Sequence, residues 1–252
     1  MSDSAEKEKQ LKEIDLIYKQ LPNTLLPWYK QNARKLPWRQ DTEPYHVWLS
    51  EIMLQQTRVE AVRSYYLRFL EQLPDIHALA KAPESQLLKL WEGLGYYNRA
   101  RNLQKAACVI ETKYGGIFPN QYDDIRALPG IGLYTAGAIA SICFNLPYAA
   151  VDGNVLRIIT RMTENNVPID HMQTKTEIAA QLEKVYPKKD CGQFTQALME
   201  LGATVCTPKS PKCTECPTKN FCRAYANNTM LQYPVKQPKK DKRLEERTIF
   251  LL

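Results

Sequence analysis

The sequence predicts an all-α protein. Three observations carry that expectation: apolar residues recur at steps of three and four, no run alternates with period two, and Gly- or Pro-containing turns separate the periodic blocks. The clearest block is Tyr45–Leu73, where Trp48, Ile52, Val59, Val62, Tyr66, Phe69 and Leu73 share helical spacing and Pro74 closes the run. Shorter blocks follow at Glu84–Trp91, Ala100–Lys113 and Tyr122–Leu128. Four more run Tyr134–Phe144, Val155–Glu164, Thr174–Val185 and Gly192–Val205. The turns between them include Gly93-Leu94-Gly95, Gly115-Gly116 and Pro129-Gly130-Ile131-Gly132.

With 252 residues, 44% of them hydrophobic, the chain can build one large domain or two small lobes. A formal charge of +7 permits contact with a polyanion without requiring it. Met1–Gln10 is polar and mixed in charge, unlike a secretory signal or an Arg-rich transit segment. No apolar run is long enough to cross a membrane, so no membrane association is expected. A cytoplasmic or nucleoid location is expected, or a nuclear one in a eukaryote. Past Ala226 the sequence loosens. Lys236–Arg247 reads as a charged linker, and a chain stopping on Ile-Phe-Leu-Leu reads as cut or as a natural form lacking a following domain.

The seven cysteines are unevenly placed. Cys108, Cys143 and Cys191 are scattered, whereas Cys206, Cys213, Cys216 and Cys222 crowd together with spacings of six, two and five intervening residues. In an intracellular chain such crowding points to a metal rather than to disulfides. Zinc and a [4Fe–4S] cluster both accept four thiolates, and spacing does not choose between them. Lys209, Lys212, Lys219 and Arg223 in the same loop would present a basic surface to phosphate.

The segment Leu128-Pro-Gly-Ile-Gly-Leu-Tyr-Thr-Ala-Gly-Ala resembles a helix-hairpin-helix. Gly130 and Gly132 allow a tight turn that brings amide groups to the surface, and the following helix start favours a phosphate. Ala136, Gly137, Ala138 and Ala140 keep that helix slim. Asp152 follows three small apolar residues and precedes Gly153-Asn154. It reads either as the cap of a helix or as a pocket carboxylate, oriented by Asn154, that steadies a cationic sugar. Bond cleavage at a glycosidic centre needs a second carboxyl group as proton donor. Glu51 qualifies, because Val47, Trp48 and Leu54 flank it at helical spacing and desolvation would raise its pKa.

Taken in order, these elements resemble the helix-hairpin-helix DNA glycosylases with an iron–sulfur loop, and most closely the adenine DNA glycosylase (MutY) family. The resemblance spans Leu26 to Tyr233. Its most specific strings are Leu36-Pro-Trp, Trp48-Leu-Ser-Glu-Ile-Met-Leu-Gln-Gln-Thr, Gly93-Leu-Gly-Tyr-Tyr, Val151-Asp-Gly-Asn-Val and the cysteine loop. It implies a two-lobed fold: residues 36–146 form a six-helix lobe with the hairpin, and 8–35 plus 147–230 form an iron–sulfur lobe. Residues 231–252 would be a linker and the first strand, Glu246–Leu252, of a further domain reading 8-oxoguanine. The cofactor implied is a [4Fe–4S] cluster on Cys206, Cys213, Cys216 and Cys222.

The function implied is hydrolysis of the N-glycosidic bond of adenine mispaired with 8-oxoguanine or guanine in double-stranded DNA, by a monomer. Glu51 would protonate the adenine, Asp152 would stabilise the oxocarbenium ion, and Tyr134 and Asn154 would brace Asp152. Gln56 and Tyr96 match wedge positions, and Trp38, Arg39, Leu54 and Gln196 match positions lining an adenine pocket. Gly130, Gly132, Lys209 and Lys212 would meet the DNA backbone. Endonuclease III carries a lysine nucleophile where this chain has Tyr134, so no Schiff base and no coupled strand cleavage are expected. Two other readings stay open: a glycosylase for mismatched thymine or oxidised pyrimidines, and a non-catalytic iron–sulfur DNA-binding protein.

Overall fold

The computed structural model describes residues 2–238, and all of its regular elements are helices. The expected strand at Glu246–Leu252 and most of the charged linker lie outside the described residues. The first element, α1 (Ser2–Asn32), runs through Pro22 and Pro27. Each interior proline costs about 3 kcal/mol or more. The helix persists because Ile17, Tyr18, Leu21, Leu25 and Tyr29 are buried on one face, and a fully buried apolar side chain is worth about 1.5–3 kcal/mol.

The expected single helix over Tyr45–Leu73 is instead two, α2 (Pro44–Leu54) and α3 (Val59–Gln72). Gln56 takes a left-handed backbone at φ 58°, which ends α2 as a C-terminal cap residue does. The Thr57 amide donates to the Leu54 carbonyl at 3.2 Å and closes the turn. Next come α4 (Ile76–Lys81), α5 (Glu84–Trp91), α6 (Asn98–Tyr114), α7 (Tyr122–Arg126) and α8 (Leu133–Phe144). The chain then forms α9 (Gly153–Thr163), α10 (Met172–Glu183), α11 (Cys191–Thr204) and the short α12 (Arg223–Ala226).

Apolar side chains gather in two main cores. One is built by α2 to α8, around Trp48, Phe69, Trp91 and Leu103. The other joins α1 to α9, α10 and α11, around Leu21, Leu25, Leu182 and Phe194. A small third cluster of Val47, Ala138, Ile142 and Ala150 lies where α2 and α8 meet the segment leading into α9. The slimness expected of α8 is used there. A Cβ on Gly137 would stand 2.4 Å from the Ala149 carbonyl oxygen. No helix among the described residues is long and apolar enough to cross a membrane.

Gly137→Ala must therefore push α8 away from the 149–150 backbone, an overpacking cost of about 1–3 kcal/mol. Thermal denaturation should show a melting point several degrees below that of the parent chain, whereas Gly153→Ala, at a site open to solvent, should leave it nearly unchanged.

Candidate active site

Five segments distant in sequence meet at one cavity of about 220 Å³. Its walls include Trp38, Arg39, Glu51, Leu54, Tyr134, Asp152, Asn154 and Gln196, which are all eight residues expected to act on the base or line its pocket. Glu51 comes from the last turns of α2 and is buried. Burial raises its carboxyl to a pKa of about 7, helped by the negative charge of Asp152 and opposed by a hydrogen bond from Tyr134 and the charge of Arg39.

Asp152 both starts a helix and lines the pocket. It is the N-cap of α9, with Oδ1 accepting from the Val155 amide at 2.8 Å, and its Oδ2 accepts from Asn154 Nδ2 at 2.7 Å. Desolvation raises its pKa, and the donors from Val155 and Asn154 pull it back. The Tyr134 hydroxyl donates to Glu51 Oε2 at 2.6 Å, so its direct partner is Glu51 and not Asp152. Asn154 alone braces Asp152 as expected.

Two features of this site escaped the sequence reading. Glu200 on α11 is fully buried and accepts from Arg34 Nε at 2.7 Å and from Arg39 Nη1 at 2.8 Å. Burial pushes its carboxyl up, but the two arginines outweigh that and hold it below the usual range. Glu200 thereby aims Arg39 at the cavity. Arg157, buried on α9, donates to Asn154 Oδ1 at 2.9 Å and to the carbonyls of Gly202 and Cys206, each at 2.8 Å. The available signal was a charged residue inside an otherwise apolar helical stretch. Gly202 belongs to the same arrangement, since a Cβ there would stand 2.5 Å from Asn154 Cβ.

The remaining expected residues lie elsewhere on the molecule. Gln56 and Tyr96 are exposed and both have left-handed backbones, at φ 58° and 48°. Gly130, at φ 78°, forms the turn between α7 and α8, and a Cβ there would clash with Asn102 Cβ at 2.7 Å. Gly132 is the N-cap of α8. Lys209 and Lys212 are exposed on the cysteine loop.

Cys206, Cys213, Cys216 and Cys222 line a second, smaller pocket against Ile158 and Leu201. None of the four forms a disulfide. Burial raises the pKa of Cys213, Cys216 and Cys222, the last to about 11, and the nearby cysteines add to it. The buried Arg161 guanidinium stands 3.4 Å from Cys206 Sγ and also donates to the Thr207 and Pro208 carbonyls. Among the described residues no set of His, Cys, Asp and Glu stands at the spacing of a single bound ion.

An all-α chain with a helix–turn–helix hairpin at 122–144 and two carboxyl groups in one desolvated pocket has the architecture of a helix-hairpin-helix protein. Residues 49–188, more than half of the chain, match the HhH-GPD superfamily base excision DNA repair protein family, and the chain belongs to that superfamily. An adenine DNA glycosylase of Buchnera aphidicola subsp. Baizongia pistaciae is 44% identical over 221 residues, covering 86% of this chain and 62% of the relative. The adenine DNA glycosylase of Mus musculus is 44% identical over 217 residues, covering 81% of this chain and 41% of the relative. This chain thus spans less than two thirds of either. A solved thermostable thymine-DNA glycosylase superposes with a TM-score of 0.75 at 29% identity, covering 86% of this chain and 98% of that one.

Tyr134→Phe removes the one hydrogen bond that favours ionised Glu51. The carboxyl should then titrate above about 7, read as an upward shift in the pH dependence of its carbon-13 resonance. An unchanged or lower midpoint would mean that the phenol does not hold the charged form.

Proposed function

We propose that this chain is a monofunctional adenine DNA glycosylase of base excision repair, acting on adenine opposite 8-oxoguanine or guanine in duplex DNA. The observation that carries it is the unequal pair of carboxyl groups in one pocket. Glu51 is held at a pKa of about 7 with a single hydrogen-bond partner, while Asp152 has a helix amide and an amide side chain stabilising its charge. Burial raises both carboxyls, but only Asp152 has amide donors that favour its charged form, an asymmetry that suits one acid and one anion. Sequence identity to adenine glycosylases supports adenine as the base, and the resemblance to a thymine enzyme is weaker in sequence.

Adenine must first leave the stack, which costs a few kcal/mol. Gln56 and Tyr96 fill the gap from outside, and Trp38, Arg39, Leu54 and Gln196 receive the base. Protonated Glu51 gives its proton to a ring nitrogen as the glycosidic bond breaks, and the bonding electrons leave with the adenine. Ionised Asp152 faces the cationic sugar left behind, a fixed anion matched to developing positive charge. Water adds to that sugar, and the carboxylate regenerated on Glu51 takes its proton. Tyr134 offers no amine, so the strand stays intact.

The hairpin at Gly130–Gly132 and the exposed Lys209 and Lys212 hold the DNA backbone without reading sequence. Residues 36–146 form the lobe bearing Glu51 and the hairpin, and 8–35 with 147–230 form the lobe bearing Asp152. Four cysteines around one pocket, none in a disulfide, beside a buried arginine that would offset the charge of bound thiolates, suit a [4Fe–4S] cluster on Cys206, Cys213, Cys216 and Cys222. Such a cluster supplies a rigid cross-link that fixes the basic loop.

The deciding experiment is single-turnover incubation of duplexes carrying A·8-oxoguanine, A·G, T·G or thymine glycol, followed by alkali. Only the adenine strands should become alkali-labile, and none should be cut before alkali; cutting of the T·G or glycol duplex alone would sink the assignment. The rate should follow a bell-shaped pH profile. It falls above about pH 7 as Glu51 loses its proton, and falls on the acid side as Asp152 gains one, at a pH above the usual aspartate value. Glu51→Gln should cost at least about a hundredfold in rate while duplex binding survives.

Freshly purified protein should be brown and contain iron and sulfide. Zinc in colourless protein would refute the cluster assignment.

A further inference from the structure

One cation joins the two exposed segments that carry Gln56 and Tyr96. Arg99, on the first turn of α6, is half-buried. Its Nη1 donates to the carbonyls of Ile52 at 2.8 Å, Met53 at 3.1 Å and Gln55 at 2.6 Å, all at the open end of α2. Its Nη2 donates to the carbonyls of Leu94 at 3.0 Å and Gly95 at 3.3 Å, in the turn before α6. The guanidinium also stands 5.5 Å from the centre of the Trp91 ring and 5.6 Å from that of Tyr96.

The last acceptor on each side is the residue directly before a wedge position: Gln55 before Gln56, and Gly95 before Tyr96. Both wedge residues are non-glycine and left-handed, at φ 58° and 48°, and Tyr96 is 64% exposed. Backbone of that kind persists only where its surroundings dictate it. Neither residue has packing of its own sufficient to do so, since both face outward. The fixed carbonyls immediately before them provide the constraint. An end cap for α2 would explain the three acceptors at its terminus. It would not explain why the same fork reaches across to Leu94 and Gly95.

We infer that Arg99 is a positioning residue that locks Gln56 and Tyr96 into one rigid two-pronged wedge, already set for insertion when DNA arrives. This rests on the reading that the chain extrudes a base. A preformed wedge need not be ordered during binding, so the cost of organising it is removed from the extrusion step. A lysine cannot replace the arginine, because an ammonium has three donors around one point and cannot span five acceptors in two segments.

The test uses the full chain and a duplex with 2-aminopurine opposite 8-oxoguanine, whose fluorescence rises when that base leaves the stack. The variants are Arg99→Lys, the pair Gln56→Ala with Tyr96→Ala, and all three changes together. Arg99→Lys should slow the fluorescence rise by about tenfold or more. In the Gln56→Ala, Tyr96→Ala background the same substitution should add less than about twofold, since it acts through residues already removed. Wild-type extrusion by a folded Arg99→Lys chain overturns the inference, as does an equal loss in both backgrounds, which would place its effect on Glu51 or on stability. If Arg99→Lys does not fold, the single Gln56→Ala and Tyr96→Ala chains decide: one rigid unit gives coupled losses, and additive losses overturn it. Failure of the functional reading looks different, because the parent chain would then extrude no base from any of the duplexes.

Discussion

A carboxylate that starts a helix is the constraint on which the rest of this site depends. One oxygen of Asp152 is fixed by the Val155 amide at the head of α9, and the other by Asn154. An N-cap of this kind is worth only about 1 kcal/mol to stability. Its larger effect is directional: wherever α9 goes, the charge goes. Asn154 is in turn held by Arg157, which reaches the end of α11 and the first cysteine of the loop. Helix start, pocket and cysteine loop are therefore one hydrogen-bonded series, and Gly202 leaves the space in which Asn154 fits.

The two acids differ because their surroundings do. Glu51 sits in the last turns of α2, where the helix amides are already used by the backbone ladder, so Tyr134 is its one side-chain hydrogen-bond partner. Asp152 sits where amides are unpaired by construction. The C-terminal turns of one helix and the N-terminus of another thus give the two carboxyl groups unlike surroundings. Glu200 repeats the theme with the opposite outcome. It is as deeply buried as any group in the chain, yet two guanidinium groups keep it charged. Removing either partner of such a set leaves a buried charge without compensation, which is why these pairs tolerate little change.

Much of this was legible in the sequence, and the misses have identifiable causes. Helical blocks such as Glu84–Trp91 and Tyr134–Phe144 match α5 and α8 because their period is local information. Glu51, Asp152 and Asn154 were legible from their own sequence contexts, whereas Tyr134, Arg39, Gln196, Trp38 and Leu54 came only through family resemblance, Trp38 and Leu54 looking like ordinary core. Helix α1 was not read, because Pro22 and Pro27 argue against it and its stabilising partners on α9 and α11 lie more than a hundred residues away. The break after α2 was not read because Gln56 carries no turn signal; its left-handed backbone is imposed by its surroundings. Tyr134 was assigned the wrong neighbour for a related reason. Which acid a phenol meets is decided by how α8 packs on α2, and no spacing along the chain contains that.

Glu51 and Asp152 belong to helices rooted in different cores, α2 in the first and α9 in the second. Their separation is therefore a property of the joint between two bodies and not of either one. That joint includes the cluster of Val47, Ala138, Ile142 and Ala150 and the packing of α8 against α11, where Thr195 donates to Ser141 at 2.8 Å. A methyl group gained or lost there must be absorbed by small shifts of α2, α8 or the segment before α9, the elements that carry the two acids and Tyr134. The reach of this pocket can therefore drift in evolution through Ala138 and Ala150, which do not line it, as well as through Val47 and Ile142, which do.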